Sequence, residues 1–380
     1  MNLKSTIYIV EYVWIGGPNK YNKMPWTIRS KTRCLDGKKY TLDNLPDWNY
    51  DGSSTSQATT EKSEVILRPK ALFKDPFYPL KLNKYSKNNY EEYDTNYNNG
   101  HTKYEFYMVL CDIYTLDEES REYIPHKDNT RHLASNIFTN DTVTNFEPWF
   151  GLEQEFFLIN HNTNLPIGYF GEGKTTPQGQ YYCSVGYGNA IYRSVVDDIF
   201  HKALFAGIKV SGINAEVAPG QWEIQVGPCV GLEAGDHLWM LRYIMMKVSE
   251  NYSCYVSFHP KPLTEGDWNG SGCHINYSTN KMRGENGLNE INRVIHKMSS
   301  DENHKKHLKV YGEWNELRLT GEHETSSLEK FSYGVGNRGA SVRIPTQTLK
   351  DEFGYFEDRR PSSVVDPYLA TAILFETTIG

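Results

Sequence analysis

The chain opens on a β-branched and aromatic run, residues 5–15 (STIYIVEYVWI), which predicts a strand. Gly16-Gly17-Pro18-Asn19 then marks a turn. Residues 31–42 predict a second strand with a turn at Asp36-Gly37, and Glu64–Pro69 and Glu105–Tyr114 read as further strands. Between them, residues 47–55 (DWNYDGSST) read as a polar, glycine-containing loop with two aromatics. Helical periodicity is scarce before residue 125, so residues 1–125 are expected to form a small, mostly β domain. Residues 81–100 interrupt it with six Asn, four Tyr and three Lys, and lack the aliphatic side chains that build a core. An exposed, mobile loop is expected there.

From Arg131 the pattern changes. Residues 131–140 and 190–206 predict helices, the second with apolar positions 191, 195, 199, 203 and 206 and a stop at Gly207. Leu232–Tyr252 and Gly287–Met298 predict two more. Strands are expected at 150–159, 208–217, 222–227, 254–259, 272–278, 340–345 and 353–358. Residues 126–380 thus read as a mixed α+β domain of catalytic size, without internal repeats.

Composition narrows the class. With 38% hydrophobic and 23% charged residues the chain is an ordinary soluble protein, and 380 residues suffice for two cores. A net charge of −7 gives no basic face for nucleic acid or anionic lipid. The six cysteines include no C-x-x-C pair, which speaks against a zinc ribbon or a redox couple. The N-terminal apolar run is broken by Glu11 and does not read as a signal peptide, and no apolar run is long enough to span a bilayer. A cytoplasmic location is expected.

The candidate chemistry begins at Phe150-Gly-Leu-Glu153-Gln-Glu155-Phe-Phe-Leu158. Residues i and i+2 of a strand share a face, so Glu153 and Glu155 look the same way. Either this is a solvated edge strand, or something positive faces the pair, for which a divalent metal is the natural candidate. A second pair follows in Asn214-Ala-Glu216-Val-Ala-Pro219-Gly220-Gln-Trp222-Glu223. Pro-Gly suits the centre of a type II turn. Pairing across it would set Glu216 directly opposite Glu223, a repulsive arrangement unless a cation lies between them. An exposed hairpin is the alternative. A glycine-rich stretch, Trp268–Gly272, then leads into alternation that puts His274, Asn276 and Ser278 on one face. Four arginines, Arg318, Arg338, Arg343 and Arg359, sit beside glycine or proline turns, and Tyr355, Glu357 and Arg359 share a strand face. The Glu357–Arg359 pair also fits an ordinary salt bridge. Taken together, inward carboxylates, one imidazole and turn-borne arginines compose a phosphoryl-transfer site that also holds an anionic substrate. Oxygen-rich ligands with a single imidazole favour Mg²⁺ or Mn²⁺ over zinc.

At this point the motifs are similar to a known family. WNYDGSST, FGLEQEFFL, NAEVAPGQWEIQVGP, DHLW, NGSGCHINYST, RLTGEHETS, GVGNRGASVRIP and GYFEDRRPS resemble, in order and over nearly the whole chain, those of eukaryote-type (type II) glutamine synthetases. The resemblance implies ATP-dependent ligation of ammonia to glutamate through γ-glutamyl phosphate, with ATP as co-substrate and two or three Mg²⁺ or Mn²⁺ ions per site. It implies Glu155, Glu216 and Glu223 as ligands on the glutamate side, and Glu153, His274 and Glu357 as ligands at the ATP phosphates. Asn269, Gly270, Arg318 and Arg359 match glutamate-binding positions. Arg338 matches the arginine at the transferring phosphate, where it also meets the glutamate. Glu153, Asn276, Ser278, Arg343 and Tyr355 match the nucleotide site. Glu324 lies in the flap motif, and Asp51 matches an aspartate that binds ammonium from a neighbouring subunit. The implied fold is a β-grasp-like N-terminal domain and a catalytic domain with a curved antiparallel sheet flanked by helices. The implied assembly is a homodecamer of two stacked pentameric rings with active sites between subunits. Two features depart from the pattern: the 81–100 insertion, and the short segment before Arg318 (VYGEWNEL), which carries Trp314. No motif carboxylate or arginine is missing. The rival readings are a ligase for another amine and a catalytically silent, ring-forming relative.

Overall fold

A computed structural model describes residues 5–19, 24–78, 97–98, 102–171, 175, 179–264 and 266–380. It divides into two compact units, Met1–His132 with His201–Ile208, and Leu133–Phe200 with Lys209–Gly380.

In the first unit the expected β character holds. The strands are β1 (Ser5–Gly16), β2 (Thr27–Asp36), β3 (Trp48–Asp51), β4 (Glu64–Lys74), β5 (Tyr97–Asn98), β6 (Thr102–Leu116) and β7 (Tyr123–Pro125). They make one sheet in the order β2-β1-β6-β4-β3, with β5 and β7 also paired to β6. The β1–β6 pair is parallel. Alternate residues Tyr8, Val10, Tyr12 and Trp14 of β1 pack with Val65, Leu67, Val109 and Ile113 to form the core. The second strand starts earlier than expected and ends at Asp36, because Gly37 turns the chain with φ +90°. The stretch 47–55 is not all loop: it is the short strand β3 followed by one 3₁₀ turn, Gly52–Thr55. β4 runs past Pro69, which the ladder accommodates by a register shift between Pro69 and Ala71. The expected loop at 81–100 lies outside the described residues except for Tyr97 and Asn98.

Apart from the start of α1 and residues 201–206 of α3, the helices belong to the second unit. In place of one helix at 131–140 there are two, α1 (Thr130–Ser135), which starts within the first unit, and α2 (Asn140–Phe146). Extended Thr139 separates them and caps α2 by accepting the Thr142 N–H. Then follow β8 (Trp149–Asn160), α3 (Arg193–Ala206), β9 (Val210–Ala215), β10 (Gln221–Val230), α4 (Glu233–Ser249), β11 (Cys254–Ser257), β12 (Cys273–Ser278), α5 (Gly287–Met298), α6 (Asp301–Leu308), β13 (Tyr333–Val335), β14 (Val342–Ile344), α7 (Thr346–Asp351), β15 (Phe356–Asp358) and α8 (Pro367–Ile379). The sheet order is β13-β14-β15-β12-β8-β10-β9, with β11 also on β8. All pairs are antiparallel except β13–β14. The fold is α+β, a curled sheet backed by helices.

Alternation on β8 decides what this sheet can do. Leu152, Gln154 and Phe156 point into the core and are essentially inaccessible. α4, buried nearly all round, packs on β8, β10 and β11 and against α8. Gln154 is the one polar member of that inward row. Its Oε1 accepts from Arg242 Nε and Nη2 at 2.9 and 2.7 Å, and its Nε2 donates to the Ser363 carbonyl at 3.0 Å. A buried amide is tolerable because it is satisfied in this way. The odd-numbered residues, Glu153 and Glu155, therefore face the opposite side.

One expected register is corrected. Glu216 is not directly opposite Glu223. Glu223 pairs with Asn214, and the Glu216 N–H donates to the Gln221 carbonyl. The connection between the two strands is five residues, 216–220, with Gly220 at φ +70°. The ladder is offset by two residues from the expected one. Because the side-chain period is two, both glutamates keep their common face and meet diagonally.

Candidate functional site

The ladder registers bring the acidic positions of β8, β10 and β15 and the His274 position of β12 into one field. Glu223 on β10 stands opposite Glu155 on β8. Glu153 stands opposite His274 on β12, and Asn276 opposite Glu357 on β15. Arg343 on β14 stands opposite Glu357. Each of these pairs lies on the face that Glu153 and Glu155 define.

His274 is the hub. Its Nδ1 lies 3.4 Å from Glu153 Oε2 and 3.5 Å from Glu357 Oε1, and its Nε2 lies 3.8 Å from Glu155 Oε1. Burial and the positive Arg359 beside it hold the imidazole well below its usual range, so it is neutral and has a lone pair to offer. Ligand atoms of Glu153, His274 and Glu357 all lie within 4.8 Å of one another. Among the described residues this is the metal-sized cluster of acidic and imidazole groups. Next to it are Glu155, Glu216 and Glu223. Burial lifts Glu155 to about 7, Glu216 to about 8 and Glu223 to about 9, and their like charges add to the effect. Three buried carboxyls side by side are a donor set that a cation would suit. Neutral side chains aim them. Gln221 Nε2 donates to Glu155 Oε2 at 3.1 Å, Asn214 Nδ2 to Glu216 Oε1 at 2.9 Å, Gln225 Nε2 to Glu223 Oε1 at 2.7 Å, and Asn276 Nδ2 to Glu153 Oε1 at 2.7 Å.

Glu153, Glu155, Glu216, Glu223, His274, Arg318, Arg338 and Arg359 line one small cavity of about 40 Å³, which Asn269, Gly270 and Glu324 also border. Arg359 Nη1 bonds Glu357 Oε1 at 2.5 Å, and Arg343 Nη1 bonds Glu357 Oε2 at 2.9 Å. Glu357 is 1% exposed, so the pair with Arg359 is an internal one rather than the ordinary surface bridge weighed above. Arg318 is buried too. One of its Nη atoms donates to the carbonyls of Arg359, Arg360 and Pro361 at 2.8, 3.0 and 2.8 Å. Among the described residues its Nε has no partner, which leaves a buried donor for a ligand. Gly270 fits only as glycine: a Cβ there would sit 2.5 Å from Arg318 Cγ. Glu324 and Arg338 form an open pair, Oε2 to Nε at 3.6 Å. Glu324 belongs to a turn closed by the Thr320–Ser327 bridge, in which His323 and Glu324 both adopt positive φ.

Beside this cavity lies a cleft of about 460 Å³. Trp149, Pro228, Phe353 and Tyr355 give it apolar walls, and Asn276, Ser278 and Arg283 supply polar groups. Of the expected nucleotide residues, Asn276, Ser278 and Tyr355 line the cleft, whereas Arg343 and Glu153 belong to the acid field. Asn276 touches both. Asp51 belongs to the first unit, at the end of β3. Its carboxylate accepts from Ser53 N–H at 3.0 Å, Ser53 Oγ at 2.6 Å and Ser54 Oγ at 2.7 Å. Sequence reasoning missed Gln221, which ties Glu155 to the Gly270 carbonyl, His323 on the cavity wall, and Tyr182, whose ring lies 5.7 Å from the Arg338 guanidinium. Neutral or isolated residues of this kind carry no spacing signal. Gln221 and His323 did stand inside singled-out motifs, but neither type there points to a role.

Comparison with known proteins places this geometry. Residues 127–304 match the model for "Glutamine synthetase, catalytic domain". The chain is 46% identical to a cytosolic glutamine synthetase isozyme of Oryza sativa subsp. japonica, covering 100% of this chain and 96% of the relative. It is 47% identical to a cytosolic isozyme of Arabidopsis thaliana, covering 98% and 94%. It is 46% identical to a putative glutamine synthetase of Acanthamoeba polyphaga mimivirus, covering 99% and 95%. With similarity at this level running from end to end, the chain belongs to the glutamine synthetase family, in its eukaryote-type branch.

Proposed function

We propose that this chain joins ammonia to L-glutamate at the expense of ATP, giving L-glutamine, ADP and phosphate through γ-glutamyl phosphate. The observation that carries the reading is the shared sheet face on which Glu153, Glu155, Glu216, Glu223 and His274 line one cavity with Arg318, Arg338 and Arg359, Glu357 on β15 joining them through His274 and Arg359. The family uses ATP and a divalent metal, and the donors here fit a hard divalent ion, Mg²⁺ or Mn²⁺, since all but one are oxygen. When bound, such ions neutralise phosphoryl oxygens as charge shifts during transfer.

The residues divide the work. Glu153, His274 and Glu357 serve the phosphate side, and Glu155, Glu216 and Glu223 the glutamate side. Glu153, Asn276, Ser278, Arg343 and Tyr355 hold the nucleotide, with its base against the apolar walls of the larger cleft. Asn269, Gly270, Arg318 and Arg359 hold glutamate, the unpaired Nε of Arg318 matching a carboxylate. Arg338, held near Glu324, meets the phosphoryl group as it leaves ATP. Glu324 closes the site so that ammonia reaches the acyl phosphate before water does. Asp51, reaching in from a neighbouring copy, binds the ammonium and accepts its proton, within a homodecamer of two pentameric rings. The relatives named as cytosolic support a cytoplasmic location. No described helix is long and apolar enough to cross a membrane.

The test is phosphate release from ATP with glutamate, ammonia and Mg²⁺ supplied together and singly. Glutamine should form only with all three. ATP turnover indifferent to ammonia, or better use of ethanolamine or a polyamine, refutes the assignment. Mass photometry on the same sample reads the ring count.

A further inference from the structure

The segment ahead of Arg318 carries a tryptophan in an unusual backbone state. Trp314 has φ +56°, the left-handed region that bulky side chains avoid. A residue stays in such a conformation only where its surroundings hold it. The Trp314 ring stacks on the His259 imidazole, centroids 4.8 Å apart and planes at 29°. Burial keeps His259 below its usual range, hence neutral, and its Nδ1 accepts the Lys261 N–H at 3.1 Å.

The two stacked residues stand at the roots of two substrate-facing segments. On the His259 side, the Pro260 carbonyl accepts the Ser271 N–H at 2.7 Å, and Lys261 Nζ donates to the Trp268 carbonyl. Residues 259–261 therefore underlie the loop that carries Asn269 and Gly270. On the Trp314 side, its carbonyl accepts the Leu317 N–H at 3.0 Å, opening the 3₁₀ turn Asn315–Leu317 that ends at Arg318. Gly270 and Arg318 meet at closest packing, with no room even for a methyl group. The stack is thus the last link of a closed circuit: 259–261 to 270–271, Gly270 to Arg318, Arg318 back to Trp314, and Trp314 to His259.

We propose that Trp314 and His259 form a positioning pair for the glutamate subsite, setting the gap between Arg318 and the Asn269–Gly270 loop. This rests on the assignment of those residues to glutamate under the proposed function. Neither ring touches substrate; the pair acts through Arg318 and Gly270, leaving the nucleotide cleft untouched.

Trp314→Gly separates the stack from folding, because glycine takes φ +56° freely. In the full-length chain W314G should raise the glutamate KM about fivefold while kcat and the ATP KM stay within about twofold. W314F should restore most of the loss. H259A should reproduce it, and W314G/H259A should be no worse than either single variant, since both remove one contact. An unchanged glutamate KM in W314G, additive effects in the double variant, or equal rises in the glutamate and ATP KM overturn the inference. If the wild-type chain forms no glutamine, the functional assignment falls and takes this inference with it. If the wild type forms glutamine and W314G keeps its glutamate KM, only the positioning role falls.

Discussion

Glu155 and Glu223 stand directly opposite one another on β8 and β10, two acids facing across a single ladder position. Burial lifts the first to about 7 and the second to about 9. A carboxyl raised on folding stabilises the fold fully below its unfolded value near 4.5, and that stability is lost as pH climbs through the folded value. Metal-free protein should therefore lose stability between about pH 5 and 9, while bound metal displaces the protons and removes the penalty. The melting temperature with excess Mg²⁺ minus that with EDTA should be larger at pH 8.5 than at pH 6. A gap that narrows with rising pH contradicts the assignment of these acids to a cation.

Glu223→Gln keeps shape and removes charge. It should raise the metal-free melting temperature at pH 8 and weaken metal binding by tenfold or more, of the order seen when ligand shells are altered. Calorimetric titration with Mn²⁺ reads the second effect. A variant that gained stability yet bound Mn²⁺ like wild type would remove Glu223 from the ligand set.

Glu357 holds two guanidinium groups, of which Arg359 is buried and Arg343 is one-third exposed. In Glu357→Gln the buried Arg359 loses its counter-charge, a loss of about 3–5 kcal/mol by the usual measure of broken internal pairs. The Arg343 contact adds less, because solvent screens it. Denaturant titration should show that loss, and the KM for metal–ATP should rise. The glutamate KM should rise by a smaller factor.

Asp51 accepts three hydrogen bonds from Ser53 and Ser54, and these hold its carboxyl below the usual range. It therefore stays ionised from mildly acidic pH upward, as the proposed ammonium-binding role requires. Asp51→Ala should raise the ammonium KM about tenfold or more with ATP binding intact, a split that marks lost substrate contacts. Full synthesis at low ammonium would rule the residue out.

Arg242 serves stability rather than chemistry. It is wholly buried and gives its donors to Gln154 and to the carbonyls of Ser363 and Val365. Arg242→Met should cost about 3 kcal/mol or more by stranding those acceptors. Urea unfolding measures it, and Gln154→Leu in the same chain should recover part of the loss.

The acid field was legible because a strand's period of two reports which side chains share a face. Glu153, Glu155, His274, Asn276 and Glu357 could be sorted without coordinates, and α5 begins and ends where its periodicity does. The hairpin register was not legible. Pro219-Gly220 suggests a turn centred on itself, whereas Gln221 reaches back to the Ala218 N–H and sideways to Glu155 and Gly270, which closes a longer loop. α8 gave no signal because it is buried on nearly every side, so no polar stripe marks its turns. The short strand β13, three residues long, is set by its neighbour β14 rather than by pattern, whereas β14 and β15 fall within the expected stretches 340–345 and 353–358.

The alternation along β8 also limits how such a chain can change its length. Losing one residue between Leu152 and Phe156 would reverse the facing of one side of the strand relative to the other, turning an acid into the apolar interior or a leucine or phenylalanine out onto the acid field. Losing two would preserve facing but move each acid one rung along its neighbours. Over generations, insertions and deletions are therefore confined to the connections between rungs, and the strand itself can vary only by exchange of one side chain for another.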